Sequence, residues 1–240
     1  MIARNAIWCP EMCIAVVSLA CVSLDARSAP PLATDDAATL EPGACQVEME
    51  RRRYGKRIEL DLLPACNLFL DVEIAVGKQR FTPDEGSRIE NTVYQIKKVL
   101  IPIEPSSWGV GISAATVRAS GGEPGMRQDL VNALFSRQLA ATTLHMNLGY
   151  IRDNAATEGI RRTRYAWAAA AEYEATPSWT VVADMFGQRG VPRSSQAGLR
   201  WWAVPKYVQL TTSLGAQRSQ GRDGRWVSLG LRFETGGPVF

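Results

Sequence analysis

The chain has 240 residues, 46% of them hydrophobic and 21% charged, with a formal net charge of +3. That length holds one or two domains, and the small charge and absent motifs argue against a nucleic-acid binder. After the first 28 residues no apolar run reaches the ~18 residues that a membrane-crossing helix needs, which leaves strands as the only means of crossing a bilayer.

The first 28 residues read as an export signal. Arg4 is basic, Met12 to Leu24 is an apolar stretch, and Ala26-Arg27-Ser28 is an A-x-S cleavage site. Glu11 precedes the apolar stretch, Met12 is an alternative start, and Ser18-Leu19-Ala20-Cys21 is a poor lipobox. Cleavage is expected near Ser28. Residues 29–42, including Pro30 to Pro42, have loop composition and no periodicity, and read as an extended leader into the first strand.

A β-hairpin follows. Cys45, Val47 and Met49 alternate with Gln46, Glu48 and Glu50, and Ile58, Leu60 and Leu62 alternate with Glu59 and Asp61. A period of two is strand geometry. If Gly55-Lys56 is a two-residue turn, Tyr54 faces Arg57, Met49 faces Leu62 and Cys45 faces Cys66. Counted out from that turn, the cysteines fall at a non-hydrogen-bonded pair, where Cα atoms approach to about 4.5 Å, within disulfide range. Of the five cysteines, three lie in the export segment, so Cys45 and Cys66 are expected to form one disulfide in an oxidising compartment. Two free buried cysteines are the competing reading.

Alternating segments then continue to the end of the chain. The expected strands are 43–53, 57–66, 68–78, 90–101, 107–117, 131–140, 141–151, 162–174, 178–187, 195–204, 206–217 and 225–234. Twelve is even, and lengths near ten suit tilted strands crossing a bilayer. Residues 131–140 are the weakest, because Arg137 falls on the apolar phase. A ten-stranded barrel with 118–140 as a loop is the alternative.

Rim placement favours a membrane barrel over a soluble sandwich, whose apolar face is the inside. With a periplasmic N-terminus, Trp108, Tyr173, Trp179, Trp201 and Phe233 all fall near one rim, and Tyr94, Tyr150 and Tyr165 near the other. Aromatic girdles at both interfaces are the membrane-barrel pattern. Connections alternate too: short at 67, 102–106, 140–141, 175–177 and 205, longer and polar at 79–89, 118–130, 152–161, 188–194 and 218–224. The first hairpin, with its tight turn on the external side, departs from this rule.

The inner phase collects Glu48, Glu50, Glu59, Asp61, Lys97, Arg164, Glu172, Asp184, Arg200 and Arg232. Unpaired buried charges are costly, so these are expected to pair across the lumen. They form either a structural network or a constriction that selects solutes. Gly109, Gly111, Gly149, Gly198, Gly215 and Gly230 share that phase and leave room for a passage or for large neighbours. The loops are rich in arginine, including Arg80, Arg88, Arg118, Arg127, Arg152, Arg161, Arg162, Arg189, Arg193, Arg218, Arg222 and Arg225, which suits lipopolysaccharide phosphates or simply a solvated surface. Catalysis has little support. His145 is the only histidine, no nucleophile elbow, P-loop or Rossmann motif appears, and the cysteines and histidine do not make a zinc site. No cofactor or metal is expected.

Several short pieces resemble the outer-membrane family labelled "MetA-pathway of phenol degradation". They are Pro31-Leu32-Ala33-Thr34-Asp35-Asp36, Glu41-Pro42-Gly43-Ala44-Cys45-Gln46-Val47-Glu48, Pro64-Ala65-Cys66, Leu144-His145-Met146-Asn147-Leu148-Gly149-Tyr150, Gly198-Leu199-Arg200 and Gly230-Leu231-Arg232-Phe233. The resemblance implies an outer-membrane barrel with a transport role and no catalytic residues.

The sequence therefore predicts an all-β chain: a transmembrane antiparallel up-and-down β-barrel of about twelve strands over 43–234, with a tail at 235–240, in the outer membrane of a Gram-negative bacterium. The expected role is a channel or uptake protein for small solutes, aromatic or apolar ones included, rather than an enzyme. Its expected partners are outer-membrane lipid, lipopolysaccharide and a small-molecule solute. The alternatives are a non-conducting structural barrel whose loops bind lipopolysaccharide or a protein, and a lipid-modifying enzyme using His145.

Overall fold

The computed structural model describes residues 32–69, 71–120, 127–154, 163–218 and 224–239. The expected export signal lies outside them, as do Arg161, Arg162 and Arg222. Twelve strands are present: β1 Cys45–Tyr54, β2 Arg57–Phe69, β3 Val72–Thr82, β4 Ile89–Ile101, β5 Trp108–Ser120, β6 Arg127–Leu139, β7 Thr142–Asp153, β8 Thr163–Thr176, β9 Trp179–Gln188, β10 Ser194–Val204, β11 Val208–Gln217 and β12 Arg225–Glu234. Each pairs antiparallel with its chain neighbours, and β1 pairs with β12 to close the ring. Closure leaves no strand edge unpaired, as a lipid environment requires.

The first hairpin fixes the register. Gly55 takes a left-handed φ of 59°, which a residue without a Cβ adopts freely. Tyr54 then pairs with Arg57, Met49 with Leu62 and Cys45 with Cys66. The two cysteines are joined in a disulfide, with Cα atoms 4.0 Å apart. The tight turn assumed from the sequence is the one the chain makes.

The main departures from expectation fall on β2, β3 and β6. β2 runs on to Phe69, with a register shift between Asn67 and Phe69, so β3 begins at Val72 rather than at residue 68. β6 begins at Arg127, which removes the ten-stranded alternative. It was hard to read because Leu130 and Leu134 point inward and are buried while Arg137 points outward. Leu130 packs with Ile151, Ala115 and Ala166. Arg137 lies over the Trp108 ring, 5.0 Å from its centroid, so the charge on the outer phase is held against an aromatic face.

The distribution of polarity is inverted relative to a protein dissolved in water. Leu214 (67% exposed), Leu229 (58%) and Trp108 (54%) stand on the outside, while Glu48, Glu50, Lys97, Asp184 and Arg200 are buried inside. Apolar area of this extent is stable only against lipid. The rims carry the expected aromatics: Trp179 stacks on Trp201 at 5.7 Å at one end, and Tyr150 meets Tyr165 at 4.8 Å at the other.

Candidate functional site: an occupied lumen

The leader lies inside the barrel. From Leu32 to Gly43 it forms neither helix nor strand, and Leu32, Ala33, Thr34, Asp35 and Ala37 are buried. A backbone without its own ladder needs partners when buried, and the walls supply them. The Ala33 and Thr34 N–H groups donate to Asp184 Oδ2 of β9, at 2.6 and 3.3 Å. The Ala37 N–H donates to Ser136 Oγ of β6 at 2.9 Å. Leu40 N–H donates to Glu73 of β3 at 3.4 Å, and Asn67 of β2 donates to the Leu40 carbonyl at 2.6 Å. Asn147 of β7, with its amide turned to satisfy both ends, donates to the Asp35 carbonyl and accepts from the Asp35 N–H, each at 2.8 Å.

Charge and packing complete the seat. Lys97 of β4 donates to Asp35 at 3.2 Å and to Asp36 at 3.1 Å. The three side chains lose most of their hydration together, so the ion pairs offset part of that cost. At the inner end Leu32 packs on Ala170 and Val182, and Ala33 packs with Ala168, Phe186 and Trp226. Small alanines on the inner phase of β8 make the space for this contact. Trp226 in turn lies over Gly215, where any Cβ would collide with the indole, so that glycine accommodates a large neighbour rather than a passage.

The leader enters through a fastened hinge at the end of the barrel where β1 begins and β12 ends. Gly43 has a φ of 80°, its N–H donates to the Asn67 carbonyl at 2.7 Å, and its carbonyl accepts from Val239 at 2.8 Å. The Cys45–Cys66 disulfide joins β1 to β2 two residues beyond that hinge.

The ten lumen charges foreseen from sequence are brought together in separate groups. Arg52, which was not foreseen, bridges Glu50 at 3.2 Å and Glu59 at 3.6 Å and lies 5.8 Å from the Trp226 ring centroid. Asp61 pairs across the hairpin with Glu50. Arg200 donates to Glu172 at 2.8 Å. Arg164 pairs with Asp153 at the far end of the barrel. Arg232 contacts Glu234 at 2.7 Å and Glu48 at 3.7 Å. Asp184 and Lys97 hold the leader. Sequence reasoning missed the leader's own Asp35 and Asp36, together with Ser136, Asn147 and Trp226. The available signal was the alternation itself, which puts Ser136, Asn147 and Trp226 on the inner phase.

His145 is buried beside the leader. Its Nδ1 lies 2.8 Å from Ser136 Oγ and its Nε2 3.6 Å from Glu172. A serine, a histidine and a carboxylate thus stand in a row. The serine is buried, faces the lumen rather than lipid, and accepts the Ala37 N–H.

Solved structures share this fold. The NanC porin superposes with a TM-score of 0.61 at 10% identity, covering 79% of this chain and 98% of that one. The KdgM porin in complex with disordered oligogalacturonate gives 0.60 at 9%, covering 78% and 98%. The outer membrane phospholipase A from Escherichia coli gives 0.51 at 8%, covering 86% and 94%. At such identities the likeness is one of fold: a closed, twelve-stranded, porin-like barrel of the outer-membrane type. No curated protein matches the chain. A family model described as "Uncharacterised conserved protein UCP029691", not the phenol-degradation family that the short motifs resemble, matches residues 16–234, and the chain belongs to that family.

Proposed function

We propose that the barrel is an outer-membrane channel for small polar solutes, closed from the periplasmic side by its own leader. One observation carries the reading: the wall holds more polar groups than the leader satisfies. Ser113 Oγ, Gln188 Oε1, Gln209 Oε1 and Thr211 Oγ1 are buried without a hydrogen-bond partner among the described residues. Buried polar atoms need water or solute when protein does not supply a partner. A lumen of that kind favours polar solutes over the aromatic or apolar ones that the phenol-degradation label suggests. KdgM has been solved in complex with disordered oligogalacturonate; the lumen here carries both signs of charge, which gives no preference for anions. The reading does not draw on the Ser136–His145 pair, which the seated leader covers.

The reading requires export and removal of residues 1–28. It is tested in planar bilayers with the mature chain and a variant lacking residues 32–42. The expected result is a closed or rarely opening barrel that becomes steadily conductive when the leader is removed. If neither protein conducts, the channel reading fails. A non-conducting barrel that presents arginine loops to lipopolysaccharide would then stand. The number of separate strands that hold the leader favours that second reading.

A further inference from the structure

A cavity of about 300 Å³ opens off the periplasmic end of the lumen. Its lining comes from the leader (Asp36, Glu41), the strand wall (Gln46, Glu48, Glu73) and the C-terminal tail (Gly236, Gly237). Small side chains leave the space. Gln46, Ala65 and Ala75 stand in one cross-strand row on β1, β2 and β3, and both alanines are buried.

The cavity is short of donors and of positive charge. Five carboxylates line it (Asp36, Glu41, Glu48, Glu73 and Glu234) against Lys97, Lys206 and Arg232. Two of those cations are already engaged: Lys97 by Asp35 and Asp36, Arg232 by Glu234 and Glu48. Lys206 is exposed at the rim. Glu73, 8% exposed, accepts one hydrogen bond among the described residues, the 3.4 Å contact from Leu40. Gln46, 9% exposed, has an Oε1 with no donor among them. A buried acceptor left unmade costs its full desolvation, and a ligand that supplies the donor recovers that cost. Among the described residues no three metal-ligating side chains converge closely enough to hold a metal ion. The acceptors are spread along the cavity, which suits a chain bearing ammonium groups better than a single ion.

We propose that this chamber binds a small organic cation with primary ammonium groups, which enters from the periplasm and donates to Gln46 Oε1 and the Glu73 carboxylate. The site goes beyond the channel reading and needs only that the leader be seated, because Asp36 and Glu41 form one side of it.

The test is isothermal titration calorimetry of the full, disulfide-intact chain in detergent with putrescine, and with 1,4-butanediol as the uncharged control. Saturable one-to-one binding that weakens with salt is expected for putrescine and none for the diol. Gln46→Glu should tighten binding and Glu73→Gln weaken it, each by roughly tenfold or more, as for hydrogen bonds to charged groups. Absence of saturable heat, equal affinity in both variants, or equal binding of the diol would overturn the proposal. The Gln46 Oε1 has no partner to lose among the described residues, so its variant carries the test if Glu73→Gln does not assemble. A barrel that conducts nothing yet binds putrescine refutes the channel and keeps the site; one that conducts and ignores putrescine does the reverse.

Discussion

Replacing Lys97 by Met isolates what holds the leader. The ammonium is nearly buried, with Asp35 on one side and Asp36 on the other, at 3.2 and 3.1 Å. Met keeps the length and apolar stem but leaves two carboxylates facing each other without a cation. Removing one partner of a buried ion pair costs about 3–5 kcal/mol. The backbone ladder of β4 does not involve this side chain, so the cost falls on leader docking rather than on the barrel. A shift of even ~3 kcal/mol raises the undocked population about 150-fold. The assay is the rate of maleimide labelling of a cysteine placed at Ala37, a residue buried under Ser136 and reached only when the leader leaves. Labelling should accelerate by about two orders of magnitude in Lys97→Met. Combining it with Asp35→Asn and Asp36→Asn should restore most of the protection, since the uncompensated charges are then gone. Unchanged labelling in Lys97→Met, or no recovery in the triple variant, would refute the argument that this cluster secures the leader.

Other expectations are smaller in scope. Gly215→Ala drives a methyl group into the Trp226 indole and should destabilise the barrel by about 1–3 kcal/mol in urea unfolding from vesicles; a neutral effect would mean that the indole moves aside freely. Cys45→Ser with Cys66→Ser opens a link between residues 21 apart in sequence and should lower stability by about 3 kcal/mol, with folding otherwise intact. Leu229→Arg places a charge on the lipid face, and should cost about 2–4 kcal/mol if the site is near the bilayer midplane. Gln209→Arg, on the opposite face of the neighbouring strand, should be tolerated much better; equal effects of the two would contradict the assignment of faces.

Much of the fold was legible because strand alternation and membrane thickness leave few choices. The hairpin register followed from one two-residue turn, and with it the cysteine pair. The rims followed from where Trp179, Trp201, Tyr150 and Tyr165 fall along their strands. β6 was obscured because Leu130 and Leu134 reverse the expected polarity to pack inside, a tertiary choice that overrides the local pattern. The start of β3 was misplaced because Leu68 and Phe69 continue β2 through a bulge. The occupied lumen was not legible at all. The leader touches β2, β3, β4, β6, β7, β8, β9 and β12 at scattered single positions, so its contacts impose no period on its sequence. Its composition is that of any loop, and only the placement of Asp184, Lys97 and the alanines of β8 reveals that something is received there.

The hinge at Gly43 makes the leader a tethered ligand. On the proposed reading, the segment from Leu32 to Leu40 leaves its seat without diffusing away. It competes with any solute at a local concentration set by a linker of a few residues, on the order of millimolar. A solute that displaces it must therefore bind the wall strongly or be abundant. The same segment offered as a free peptide to a barrel lacking it should block at a dose equal to that local concentration divided by the docking constant, well below millimolar. Closure by a tethered segment is independent of protein concentration. Its strength can be tuned through the hinge without altering a single contact in the lumen.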